Sequence, residues 1–102
     1  MTKLLEDREI TDSLSGILGW IRQGNSISKK YTLKNFKEAL AFVNRAGELA
    51  EEMNHHPDIL IHGYRFVTLT LMTHDAGGLT QKDFNLARRI ETIWKDLENL
   101  TT

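Results

Sequence analysis

The sequence predicts an α+β domain of two layers, a four-stranded antiparallel sheet with three helices on one face. Two observations carry that prediction. Long stretches with apolar residues three and four apart alternate with shorter stretches in which apolar and polar residues alternate. Each shorter stretch divides at a glycine-containing turn, so its strands come as an antiparallel pair. The order is helix, hairpin, helix, hairpin, helix, and such an order packs helices against a sheet. A chain of 102 residues suffices for one core, so residues 1–102 are read as a single domain.

The first helix is predicted over residues 7–18, where Ile10, Leu14, Ile17 and Leu18 follow helical spacing. Acidic Glu6, Asp7 and Glu9 stand at its start, where the helix dipole favours them. Gly19 reads as its stop. The first hairpin turns at Gly24-Asn25-Ser26. Along its second strand Ile27, Lys29, Tyr31 and Leu33 share one face, and Ser28, Lys30 and Thr32 share the other.

Residues 33–54 carry the strongest helical stripe, made by Phe36, Ala39, Leu40, Val43, Ala46, Ala50 and Met53 and widened by Phe42 and Leu49. Pro57 cannot continue that helix and disfavours helical geometry at His56. The helix must therefore end near Asn54, with both His55 and His56 in the turn leaving it.

The second hairpin runs Ile59 to His62 and Tyr64 to His74, turned near Gly63. Val67, Leu69 and Leu71 point one way; Tyr64, Phe66, Thr68, Thr70, Met72 and His74 point the other. Asp75-Ala76-Gly77-Gly78 is a turn. Thr80-Gln81-Lys82-Asp83 has the spacing of a capping box and opens the last helix. That helix carries Leu86, Ile90, Ile93, Leu97 and Leu100 on one stripe, flanked by Ala87 and Trp94. Three helices cover one sheet face well, and the open face or edge predicts a homo-oligomer.

Composition narrows the function classes. Thirteen basic and 14 acidic residues leave a net charge of −1, which argues against a direct nucleic-acid role. Cysteine is absent, which removes disulfides, thiolate nucleophiles and zinc-thiolate sites. No apolar run has the length of a membrane span and no signal-peptide core opens the chain, so the expected location is cytoplasmic.

Chemistry concentrates at Glu51-Glu52-Met53-Asn54-His55-His56-Pro57-Asp58. Histidine moves protons near neutral pH, because both of its forms are accessible there. With Gly63 near the hairpin tip, the open end of the hairpin returns His74 toward the His55-His56 pair. Three imidazoles can then line one cleft. Adjacent residues in an extended turn point in different directions, so His55 and His56 serve different atoms. Glu51, one helical turn before His55, is placed to orient that ring. The spacing also fits a plain helix stop, with His62 and His74 as ordinary strand-end residues and Asp83 as a cap alone. A zinc site is a third option, although the spacing is not that of the helical His-Glu-x-x-His arrangement.

These residues resemble a known family. Glu51, three residues, His55-His56-Pro57, six residues, Tyr64, nine residues, His74, eight residues, Asp83 is similar to the signature of the pterin-4a-carbinolamine dehydratases. Gly19-Trp20, Tyr31, Phe36, Thr73-His74-Asp75 and Gly77-Gly78-Leu79-Thr80 also look similar to family positions, over about residues 4–98. The resemblance implies dehydration of a 4a-hydroxytetrahydropterin to a quinonoid dihydropterin, in recycling of the pterin cofactor. It implies His55, His56 and His74 as the catalytic histidines, with His55 and His74 in acid–base roles and His56 nearer to substrate binding. Glu51, Pro57, Asp58, Tyr64, Thr73, Asp75 and Asp83 become the substrate-binding or supporting residues. It further implies a pterin as the ligand, no metal or organic cofactor, and a homodimer or homotetramer. The chain departs from some members at Ile59 and Leu60, where they carry an aromatic residue, and at Asn54, where they carry an acid. A second reading comes from the same resemblance: animal members also act as dimerisation cofactors of a transcription factor, which is the role of a non-catalytic binding module.

Overall fold

The structure, a computed structural model, describes residues 3–101. Its elements are α1 (Asp7–Leu14), β1 (Ile21–Gln23), β2 (Ser26–Thr32), α2 (Phe36–Met53), β3 (Asp58–His62), β4 (Phe66–Leu71), a 3-10 turn (His74–Ala76) and α3 (Gln81–Thr101). The four strands form one antiparallel sheet in the order β1-β2-β4-β3. The two hairpins therefore join through their second strands. β4, flanked by β2 and β3, buries Val67, Leu69 and Leu71 completely. β3 is an open edge that exposes Ile59 and Leu60, the feature on which the expectation of a homo-oligomer rests.

All three helices contribute to the core on the inner sheet face, through Ile10, Phe42 and Phe84 among others. The rings of Tyr31, Phe42 and Trp94 meet with centroids 4.8 to 5.6 Å apart and tie β2, α2 and α3 together. Such ring contacts add about 0.5–1.5 kcal/mol each beyond the area they bury.

Three local expectations need correction. α1 stops at Leu14 instead of running to residue 18. The Ser15 hydroxyl bonds back to the Asp12 carbonyl at 2.6 Å, and the serine–glycine stretch has little helix propensity to resist the turn. The turn buries Ile17 but leaves Leu18 84% exposed. In α2 the buried stripe is Ala39, Phe42, Ala46, Leu49 and Ala50, while Phe36 and Leu40 are exposed. Periodicity gives the stripe, but contact with the sheet and α3 sets its phase. β4 ends at Leu71, so His74 belongs to the 3-10 turn and not to the strand. Ile90 and Leu86 are buried in α3 as expected; the Leu100 side chain lies outside the described residues.

One polar cluster is folded into this core. Lys29 shares the core face of β2, and its ammonium donates to both Glu91 oxygens at 2.9 Å and to the Leu18 carbonyl at 2.8 Å. Gly19 makes room for it: a Cβ there would lie 2.9 Å from the Lys29 chain, and φ is +87°. The Tyr31 hydroxyl donates to the same Glu91 carboxylate. Burial first, then the Glu91 hydrogen bond and charge, hold the Tyr31 phenol well above its ordinary value. Unfolding frees this phenol to ionise near its usual pKa of ~10. Above that pH the unfolded chain binds fewer protons than the folded one, so the Tyr31 contribution is whole below it and is lost as pH rises. In denaturant titrations between pH ~9 and ~11, stability should fall less steeply for Tyr31→Phe than for wild type. Equal slopes would show that the phenol titrates alike in both states.

Candidate active site

The site begins with the way α2 ends. Asn54 adopts the left-handed conformation, φ 50° and ψ 43°, which asparagine tolerates better than most residues. The His55 N–H then returns to the Ala50 carbonyl at 3.1 Å. This closure locks the backbone of His55 against the helix end, and Pro57 holds the chain extended beyond it. The two neighbouring histidines leave the turn in different directions, as the sequence predicts.

His55 points inward. Its Nε2 lies 2.6 Å from Asp83 Oδ1, and the two side chains are 11% and 0% exposed. His56 points outward. Its Nε2 pairs with Glu51, and those side chains are 55% and 77% exposed. This replaces the expected pairing of Glu51 with His55: Glu51 serves His56, and Asp83 orients His55. The left-handed residue at Asn54 is the cause, since it swings His55 off the helix face that carries Glu51 and toward the start of α3.

Asp83 is therefore far more than a cap. Half of the capping box is present, with the Thr80 N–H donating to Asp83 Oδ2 at 2.9 Å, while Thr80 Oγ1 accepts from the Lys82 N–H at 3.2 Å in place of the Asp83 N–H. Thr73 Oγ1 also donates to Asp83 Oδ2 at 2.8 Å. Thr73 is held in turn by its backbone, whose N–H donates to the Gly78 carbonyl at 2.9 Å across an isolated bridge. The same bridge closes the loop that presents His74 and Asp75.

A cleft of about 270 Å³ opens between these elements. His55, His56, His74, Thr73 and Asp75 line it, together with Asn54, Met72 and Lys82. A second hollow of about 80 Å³ lies between Leu33, Glu38, Trp94 and Leu97 and has no histidine in its lining. His74 is exposed, and among the described residues neither of its ring nitrogens makes a hydrogen bond. No group of three ligating side chains with metal-site geometry occurs among the described residues.

Five predicted site residues do not line the cleft: Glu51 and Asp83 act on it through His56 and His55, and three others stand further from it. Tyr64 sits at the tip of the β3–β4 hairpin, in the left-handed conformation with φ 54°, and is 61% exposed. The register pairs His62 with Phe66 near that tip and Asp58 with Thr70 at the cleft end, so a strand length separates Tyr64 from His55. The glycine turn takes in Tyr64 as well, which moves it off the strand. Asp58 opens β3 with an exposed side chain and does not line the cleft. Pro57 shapes the backbone without lining it. Sequence reading missed Lys82 and Thr80; the capping box located Thr80, but only as a helix start.

A family model described as pterin 4 alpha carbinolamine dehydratase matches residues 3–93. A provisionally named pterin-4-alpha-carbinolamine dehydratase of Roseiflexus sp. (strain RS-1) is 54% identical over 93 residues, 91% of this chain and 99% of the relative. One from Sulfurisphaera tokodaii is 43% identical over 91 residues, 89% of this chain and 97% of the relative. Among solved structures, a transcriptional coactivator/pterin dehydratase from Brucella melitensis superposes with TM-score 0.84 at 30% identity, covering 89% of this chain and 98% of that one. A pterin dehydratase-like protein described as a RuBisCO assembly factor in the alpha-carboxysome gives TM-score 0.61 at 25% identity, covering 72% of this chain and 87% of that one.

The two carboxylate–histidine pairs should differ in stability. Asp83→Ala strands a buried imidazole, a hydroxyl and an N–H, at a cost of about 3–5 kcal/mol. Glu51→Ala breaks an exposed pair and should cost less than ~1 kcal/mol. Equilibrium urea unfolding of the two variants checks the ranking, and equal losses would contradict it.

Proposed function

The chain belongs to the pterin 4 alpha carbinolamine dehydratase family, and on that premise we propose that it eliminates water from a 4a-hydroxytetrahydropterin to give a quinonoid dihydropterin. The observation that carries this reading is His55, fixed by a buried carboxylate, on the same cleft as His74, whose ring has no hydrogen-bond partner among the described residues.

The reaction needs two proton transfers of opposite sense. Hydroxide is a poor leaving group at neutral pH, so an acid must protonate the C4a hydroxyl. The N5 lone pair forms the C4a–N5 double bond as the C4a–O bond breaks and water departs. A base then takes the N5 proton, which leaves the overall proton count unchanged. His55 suits the base. Its Nε2 is engaged by Asp83, so Nδ1 is the nitrogen left for substrate, and the carboxylate stabilises the imidazolium that forms. His74, on the exposed side of the cleft, suits the acid. His56 and Asp75 line the pterin's surroundings without a reacting role. Such positioned acid–base catalysis typically supplies ~10²–10⁴-fold. The physiological setting we infer is regeneration of a tetrahydropterin cofactor after an oxygenase has hydroxylated C4a.

The rival reading is a non-catalytic binding module. The two solved neighbours described as a transcriptional coactivator and an assembly factor favour it. The complete histidine set with its buried carboxylate favours the enzyme, since a scaffold has no use for a polar network of that cost. Stopped-flow measurement on freshly generated 4a-hydroxytetrahydropterin separates the two, because only an enzyme accelerates dehydration over the spontaneous rate. His74→Ala should lower kcat by at least ~10²-fold with an unchanged thermal midpoint, as the side chain is exposed and has no hydrogen-bond partner among the described residues. Unchanged turnover in that variant would sink the acid role.

A further inference from the structure

We propose that Thr80 is a positioning residue for His55, acting through a one-way chain of hydrogen bonds that ends on Asp83. The geometry stands by itself; the consequence for rate rests on the dehydratase reading.

A hydroxyl has one hydrogen to give. Asp83 Oδ2 offers only lone pairs, so the Thr73 hydroxyl must donate to it across 2.8 Å. Thr73 Oγ1 is also 2.7 Å from Thr80 Oγ1, with both residues buried. Having spent its hydrogen, Thr73 can only accept there, so Thr80 must donate. Thr80 Oγ1 accepts in turn from the Lys82 N–H at 3.2 Å. The direction is fixed: Lys82 N–H to Thr80, Thr80 to Thr73, Thr73 to Asp83.

This chain settles how Asp83 meets His55. Oδ2 already takes two donors, the Thr73 hydroxyl and the Thr80 N–H at 2.9 Å, so Oδ1 is the oxygen that faces Nε2. Rotating the carboxylate would break both bonds in a site where Asp83 has 0% exposure. Oδ1 offers only lone pairs, so the proton between them sits on Nε2. Neutral His55 then carries its lone pair on Nδ1. Without the Thr80 hydroxyl, the Thr73 oxygen loses its donor in a buried site, and its own hydrogen bond to Asp83 Oδ2 is left in place but weaker. Linked hydrogen bonds of this kind strengthen one another, so one missing link is felt at the far end.

The test uses the full chain as wild type, Thr80→Val and Thr80→Ser, each labelled with ¹⁵N-histidine. At alkaline pH, where imidazoles are neutral, the wild-type His55 spectrum should show one tautomer, with the proton on Nε2. Thr80→Val should keep the proton on Nε2 but shift the His55 Nε2 resonance, and lower kcat by up to about tenfold, the upper scale of one buried hydrogen bond, with KM changed less. Thr80→Ser should restore both. A wild-type proton on Nδ1 overturns the proposal, and this arm decides even if Thr80→Val does not fold. A folded Thr80→Val with the wild-type His55 Nε2 resonance and wild-type kcat also overturns it. The NMR arm needs no turnover, so it judges Thr80 separately from the dehydratase reading.

Discussion

A single buried carboxylate holds the candidate site together. Asp83 is fully buried at the start of α3, and burying a charge is costly unless every lone pair is engaged. Its partners come from three separate parts of the chain. His55 lies beyond the end of α2, Thr73 lies beyond the end of β4, and Thr80 precedes α3. Satisfying Asp83 therefore fixes the relative positions of those three segments. The cleft is the space that remains between them. Stability and site geometry are thus one requirement here, because the bonds that make the charge tolerable also aim His55.

The histidines divide according to what holds them. His55 is nearly enclosed and pinned, His56 is half exposed beside Glu51, and His74 has no side-chain partner among the described residues. A pinned ring has one nitrogen left for substrate and a defined tautomer, as a base needs. A free ring on the rim can take a proton from water between turnovers, as an acid needs. In the proposed dehydration, three chemically identical side chains would take different work from their surroundings alone.

Much of this was legible in the sequence. Pro57 marked the end of α2, the strand alternation marked Val67, Leu69 and Leu71 as core, and Thr80-x-x-Asp83 marked the opening of α3. The hairpin returned His74 to the other two histidines, as it had to once Gly63 formed the turn. Pairings were not legible. Glu51 is closer in sequence to His55 than Asp83 is, yet with a left-handed residue at Asn54 it is Asp83 that pairs with His55, and Glu51 pairs with His56. Tyr64 read as a strand residue because it follows the glycine, but the turn takes it in and leaves it at the wrong end of the hairpin. Phe36 and Leu40 read as core because a helical stripe has a period but no absolute phase until the sheet supplies one. Local patterns fix elements; contacts between elements fix which side chains meet.

The most direct measurement is an NMR titration of the ¹⁵N-labelled chain with a reduced pterin that lacks the 4a-hydroxyl and cannot react. Saturable shifts at His55, His74 and Asp75, with the Tyr64 amide unmoved, are the expected result. Shifts confined to the hollow beside Trp94, or no saturable shifts, would contradict the assignment of this cleft as the pterin site.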